Sequence, residues 1–124
     1  MGGSETILLI EDSQEIRELM GEVLSSAGYT VIEAVDGQDG VEKFREHQNE
    51  VQLLILDVIM PRKNGREAYD EICNMKSDVR AIFTSGYTAD IINRKGIMEG
   101  KYNFVAKPLS PDKLLLKIRE VLAG

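Results

Sequence analysis

Short unbroken apolar runs alternate along this chain with segments whose apolar residues recur every three or four positions. Two periods taken in turn mark repeated β-α units and commit the chain to a layered α/β fold. The first run, Ile7-Leu8-Leu9-Ile10, suits a strand buried on both faces of a parallel sheet. After it Ile16, Leu19, Met20, Val23, Leu24 and Ala27 return at helical spacing. Ser13 stands where an N-cap belongs, and Gly28 where a left-handed C-terminal residue belongs. Thr30–Ala34 is predicted as the second strand, Val35-Asp36-Gly37 as a turn, and Gln38–His47 as a helix with Val41 and Phe44 inward. Val51–Leu56 is the third strand. The loop Met60-Pro61-Arg62-Lys63-Asn64-Gly65 then leads to a helix over Arg66–Met75 that carries Ala68, Ile72 and Met75. Arg80–Thr84 and Tyr102–Ala106 are the fourth and fifth strands. Between them Thr88–Gly100 is helical near Ile91-Ile92, although two glycines and Asn93 weaken the pattern. Ser110-Pro111 opens the last helix, with proline at its first position and Leu114, Leu115, Ile118, Val121 and Leu122 on one face. Five β-α units result, with no internal repeat, low-complexity tract or linker.

A chain of 124 residues supports one domain with a single hydrophobic core and is too short for two. Its 43% hydrophobic and 29% charged content is that of an ordinary globular protein, so composition gives no indication of disorder. A net charge of −6 argues against direct, non-specific binding to nucleic acid, whose phosphates would repel it. The one cysteine, Cys73, excludes an internal disulfide and points to a reducing, cytoplasmic compartment. No apolar run has the length of a membrane span, and no signal peptide is expected. The opening Met1-Gly2-Gly3-Ser4 reads as an appended scar or frayed terminus outside a domain that runs from residue 5 to 124.

The chemistry-bearing residues share one address. Glu11-Asp12 closes the first strand, Asp57 the third and Ser85 the fourth, while Lys107 follows the fifth. In an open parallel sheet the carboxyl ends of the strands form one edge, along which ligand crevices open. Any one of these residues alone would read as a turn, a cap or a solvated side chain. Matching positions on several strands make them a site. Three carboxylates crowd one crevice, and like charges at contact distance oppose one another's ionisation. A hard divalent cation relieves this, and Mg²⁺ takes oxygen ligands while keeping several waters. Asp12 and Asp57 are the expected direct ligands, with the backbone carbonyl of Ile59 as a third and Glu11 acting through water. Mn²⁺ could take the place of Mg²⁺. Lys107 supplies a compact positive charge for a phosphate or carboxylate oxygen, and the X-Pro bond to Pro108 fixes its direction. Ser85 offers a hydroxyl to a phosphoryl oxygen, while Thr84 is expected on the opposite face of the strand.

Taken together in order, these residues resemble a receiver domain, the phosphoacceptor module of two-component response regulators. The resemblance runs from Glu5 to the end. It is carried by Glu11-Asp12, by Asp57 followed by Met60-Pro61 and Gly65, by Ser85-Gly86 and by Lys107-Pro108, at separations of 28 and 22 residues. It implies a doubly wound, flavodoxin-like fold with five parallel strands in the order 2-1-3-4-5. It also implies that Asp57 accepts a phosphoryl group from a phosphohistidine on a sensor histidine kinase or phosphotransfer domain. Phe104 stands at the family's switch aromatic, which turns inward as the hydroxyl residue, here Ser85, moves toward the phosphoryl group. Ile59 and Tyr87 stand where the family tunes phosphoryl lifetime. Neither holds a hydrolytic water as a carboxylate or amide would, so slow self-dephosphorylation is expected. The resemblance further implies a switched face, built by the fourth helical segment, the fifth strand and the last helix, that meets an output domain or a second copy. Phe83-Thr84-Ser85-Gly86-Tyr87-Thr88 and the stretch Gly96–Asn103 look most similar to receivers attached to hybrid sensor histidine kinases. With the scar-like start, an excised receiver is expected over a free-standing regulator.

Two other readings compete. A haloacid-dehalogenase-type phosphatase also uses a strand-end aspartate, Mg²⁺ and a lysine, but needs a second aspartate where this chain has Ile59. A degenerate receiver would act purely as an interaction module, but such members typically lose the acceptor or an acidic-pair member, and this chain retains them. Catalysis by a Ser-His-Asp or Cys-His arrangement is excluded, because the only histidine, His47, lies on the second helix away from the strand ends. The chain is therefore expected to be a phosphoacceptor that assists its own phosphorylation, not a turnover enzyme and not a membrane-binding protein.

Overall fold

A computed structural model describes residues 4–57, 63–85, 103–106 and 110–123, with the side chains of Ser85 and of residues 103–106 left aside. The described elements run β1 (Thr6–Ile10), α1 (Gln14–Ser26), β2 (Thr30–Ala34), α2 (Gly37–His47), β3 (Val51–Asp57), α3 (Gly65–Met75), β4 (Arg80–Ser85), β5 (Asn103–Ala106) and α4 (Pro111–Ala123). The expected helical segment at Thr88–Gly100 lies outside the described residues. All four strand pairings are parallel and the order is β2-β1-β3-β4-β5, as the resemblance implies.

The unbroken apolar runs have the expected cause. On β1, Leu8 and Ile10 enter one core while Ile7 and Leu9 enter the other, and all four are fully buried. On β3, Leu54 and Leu56 join the first core and Leu53 and Ile55 the second. The first core is closed by Val41 and Phe44 of α2 with Ala68 and Ile72 of α3. The second is closed by Met20 and Leu24 of α1 with Leu114, Ile118 and Val121 of α4. The single core expected from chain length is thus divided by the sheet into two, because each strand residue points to alternate faces.

Local signals set the helix ends. Ser13 caps α1, its side chain accepting from the Ile16 amide, and Gly28 follows the helix at a φ of 100°, in the left-handed region glycine favours. Asp36 caps α2 by accepting from the Asp39 amide. Asn64 and Glu67 form a reciprocal capping box at the start of α3, a feature not read from the sequence. Leu19 departs from expectation. It is 60% exposed, whereas Met20 and Leu24, four residues apart, form the stripe that meets the sheet.

Strand lengths are reconciled at one end. Thr6 pairs with Val51 but Ile7 with Leu53, so Gln52 is an extra residue in β3. Its side-chain oxygen accepts the Thr6 amide at 3.1 Å. Beyond this point β1 and β3 pair residue for residue to Ile10 and Leu56.

Candidate functional site

The acidic residues meet where β1 and β3 lie side by side, the point at which the strand order turns back and crevices open in such sheets. Glu11 and Asp12 directly follow β1, and Asp57 is the last residue of β3. Carboxylate oxygens of all three lie within 4.8 Å of one another. Glu11 and Asp57 are buried, at 1% and 7% exposure, while Asp12 is open to solvent.

Every polar group of Glu11 is engaged. Its amide donates to the Ala34 carbonyl of β2 at 3.1 Å, and its carboxylate accepts the Ser13 amide at 3.0 Å. Its carbonyl accepts from the Arg17 guanidinium at 2.8 Å. The acidic pair is therefore held by β2 on one side and by the first turns of α1 on the other. Sequence reasoning missed Arg17, which carries no motif of its own.

The donor set is entirely oxygen, the chemistry of a hard divalent cation. Mg²⁺ bonds oxygen at about 2.0–2.1 Å, which places opposite ligands roughly 4.2 Å apart. Carboxylate oxygens gathered inside 4.8 Å fit around one hydrated ion, some directly and others through water. Among the described residues this is the one cluster of three or more histidine, cysteine or acidic groups suited to a metal.

The hydroxyl strand lies alongside. Asp57 pairs in register with Thr84, which is buried at 1% exposure, and Ser85 ends β4 opposite Ala106 of β5. Thr84 thus takes the place directly beside the acceptor, and Ser85 the next step along the strand. Phe104 pairs in register with Phe83. Lys107, Ile59 and Tyr87 lie outside the described residues. Lys63, on the loop before α3, pairs with Glu71. No helix among the described residues is long and apolar enough to cross a membrane.

Comparison with known proteins gives this edge a family. Residues 7–119 match the response regulator receiver domain. The chain is 35% identical to the sensor kinase CckA of Brucella abortus (strain 2308), over 98% of this chain and 13% of that protein. It is 32% identical to the chemotaxis protein CheY of Treponema pallidum (strain Nichols), over 98% of this chain and 85% of that one. The solved receiver domain of the hybrid histidine kinase CckA has a TM-score of 0.80 at 28% identity, covering 94% of this chain and 98% of that chain. Against four transcriptional regulators it also resembles, the chain spans 45% to 52% of their length. With its strand order, its acidic edge and its match from the first strand into the last helix, the chain belongs to the response regulator receiver domains, the regulatory phosphoacceptors of two-component signalling.

Proposed function

We propose that residues 5–124 accept a phosphoryl group on Asp57 from a sensor histidine kinase or phosphotransfer domain. The observation that carries this reading is the convergence of Glu11, Asp12 and Asp57 within 4.8 Å at the β1–β3 crevice. A P–O bond to an Asp57 carboxylate oxygen forms as the P–N bond to the donor imidazole breaks. Asp12, Asp57 and the Ile59 carbonyl would hold Mg²⁺ or Mn²⁺ directly, with Glu11 holding it through water. When bound, such a cation would neutralise charge on the carboxylates and the phosphoryl oxygens.

The remaining roles belong to the same proposal. Lys107 pairs with the new acyl phosphate, and Ser85 donates its hydroxyl to a phosphoryl oxygen. Phe104 follows Ser85 and reports the change to the face built by the fourth helical segment, β5 and α4, where an output domain or second copy would dock. A bound phosphoryl group shifts the balance between two conformations of that face. Ile59 and Tyr87 leave the acyl phosphate without a side chain to position hydrolytic water, which supports a slow self-dephosphorylation. On this reading the chain is no turnover enzyme, and it works in the cytoplasm.

Intact mass after incubation with acetyl phosphate and Mg²⁺ tests the proposal. One phosphoryl group should be added to the wild type, and none to Asp57→Asn or to wild type with the metal chelated. No addition to the wild type from acetyl phosphate and from a phosphodonor kinase would overturn it in favour of a phosphate-independent interaction module.

A further inference from the structure

Arg17 has no role in the reading above, yet its guanidinium engages both the backbone of the acidic edge and a carboxylate on β2. It stands on α1 with its side chain only 13% exposed. One guanidinium nitrogen, Nη1, donates to the Glu11 carbonyl at 2.8 Å, and Nε lies 3.4 Å from Glu33 Oε1 on β2. The carbonyl it holds belongs to the peptide that joins Glu11 to Asp12. Space for its anchor is left by Gly21, where a Cβ would come within 2.9 Å of Glu33 Oε2. The guanidinium therefore ties three elements together: the end of β1, the side of β2 and the first turn of α1.

We infer that Arg17 is a positioning residue that sets the affinity of the acidic edge for a divalent cation. It fixes the Glu11–Asp12 peptide, and with it the direction in which the two carboxylates leave the strand. Glu33 orients the guanidinium and Gly21 makes room for Glu33. The inference rests on the Mg²⁺ reading given above.

The sign of the effect separates this role from simple electrostatics. A permanently charged guanidinium beside a cation site opposes the cation, so by charge alone its removal tightens Mg²⁺ binding. A positioning role requires the reverse. Partners that orient metal ligands from outside typically govern affinity by about 10–100-fold when lost. Lysine retains the charge but lacks the planar fork that reaches both partners.

The test is calorimetric titration of the full chain with Mg²⁺, with thermal melts in chelator recorded on every variant. Arg17→Gln should weaken binding roughly tenfold, and Arg17→Lys and Glu33→Gln should weaken it by smaller factors. Val41→Ala, which loosens the other core, should lower the melting temperature and leave the Mg²⁺ affinity alone. Unchanged or tighter binding in folded Arg17→Gln would overturn the inference while leaving the Mg²⁺ reading intact. If Arg17→Gln does not fold, Arg17→Lys decides, because it keeps the charge and removes only the planar fork, so that unchanged Mg²⁺ affinity in it would overturn the inference. A folded wild type that binds no Mg²⁺ would overturn the reading and the inference together.

Discussion

Leu19 and Leu24 lie on one helix, five residues apart, and meet opposite surroundings: Leu19 is 60% exposed and Leu24 fully buried. Leu24→Ala should therefore cost about 2–5 kcal/mol, the range for truncating a buried leucine. Leu19→Ala should stay within about 0.5 kcal/mol. Urea unfolding of the two variants checks both, and equal losses would contradict the packing described. The pair also shows what a sequence can and cannot convey about single residues. Periodicity announces a helix, but α1 carries adjacent apolar stripes, and only the shape of the sheet decides which is covered. Arg17 was illegible for a related reason. Its partners are a backbone carbonyl and a glutamate on another strand, and no spacing in the chain encodes either contact. Glu11, Asp12 and Asp57 were legible because strand ends are marked by where apolar runs stop.

At the level of elements, α3 begins one residue earlier than its apolar pattern suggests, because Asn64 and Glu67 close its first turn. Asn64→Ala removes one half of that box and should destabilise the protein by about 1 kcal/mol, within a range of roughly 0.5–2. Denaturant midpoints would show it, and a neutral substitution would mean the cap is idle. The other boundaries were legible to within a residue or two, since strands covered on both faces must be continuously apolar. Register was not. The pairing of Asp57 with Thr84 depends on how two strands are aligned, and neither strand's own sequence states it. Thr84 was expected on the face opposite Ser85, whose side chain lies outside what the structure describes. What could not be read was that the pairing puts Thr84, rather than Ser85, at the acceptor's own level in the sheet.

The whole molecule is tied end to end by Arg119 of α4, which donates to Glu5 Oε1 at 3.1 Å and to the Tyr29 hydroxyl at 3.1 Å. The hydrogen bond from Arg119 holds the Glu5 carboxyl below its ordinary 4.5. The unfolded chain therefore takes up this proton first as pH falls. Stability from the contact is complete above 4.5 and is lost as pH drops through the lower folded value. Glu5→Gln should melt below the wild type at neutral pH, with the gap closing as the solution is acidified beneath that point. Melting curves across the acid range test this, and a gap independent of pH would refute it. This clasp lies at the amino-terminal rim of the sheet, as does the extra residue Gln52. Mismatch in strand length is absorbed there, where a side-chain amide replaces a missing backbone partner. Past that bulge the count runs unbroken to the acidic rim. Insertions and deletions are therefore not equivalent at the two rims: the amino-terminal rim can gain or lose a residue and heal. Near Leu56, a single added residue would turn the side chains after it to the opposite face and carry the acceptor out of its crevice.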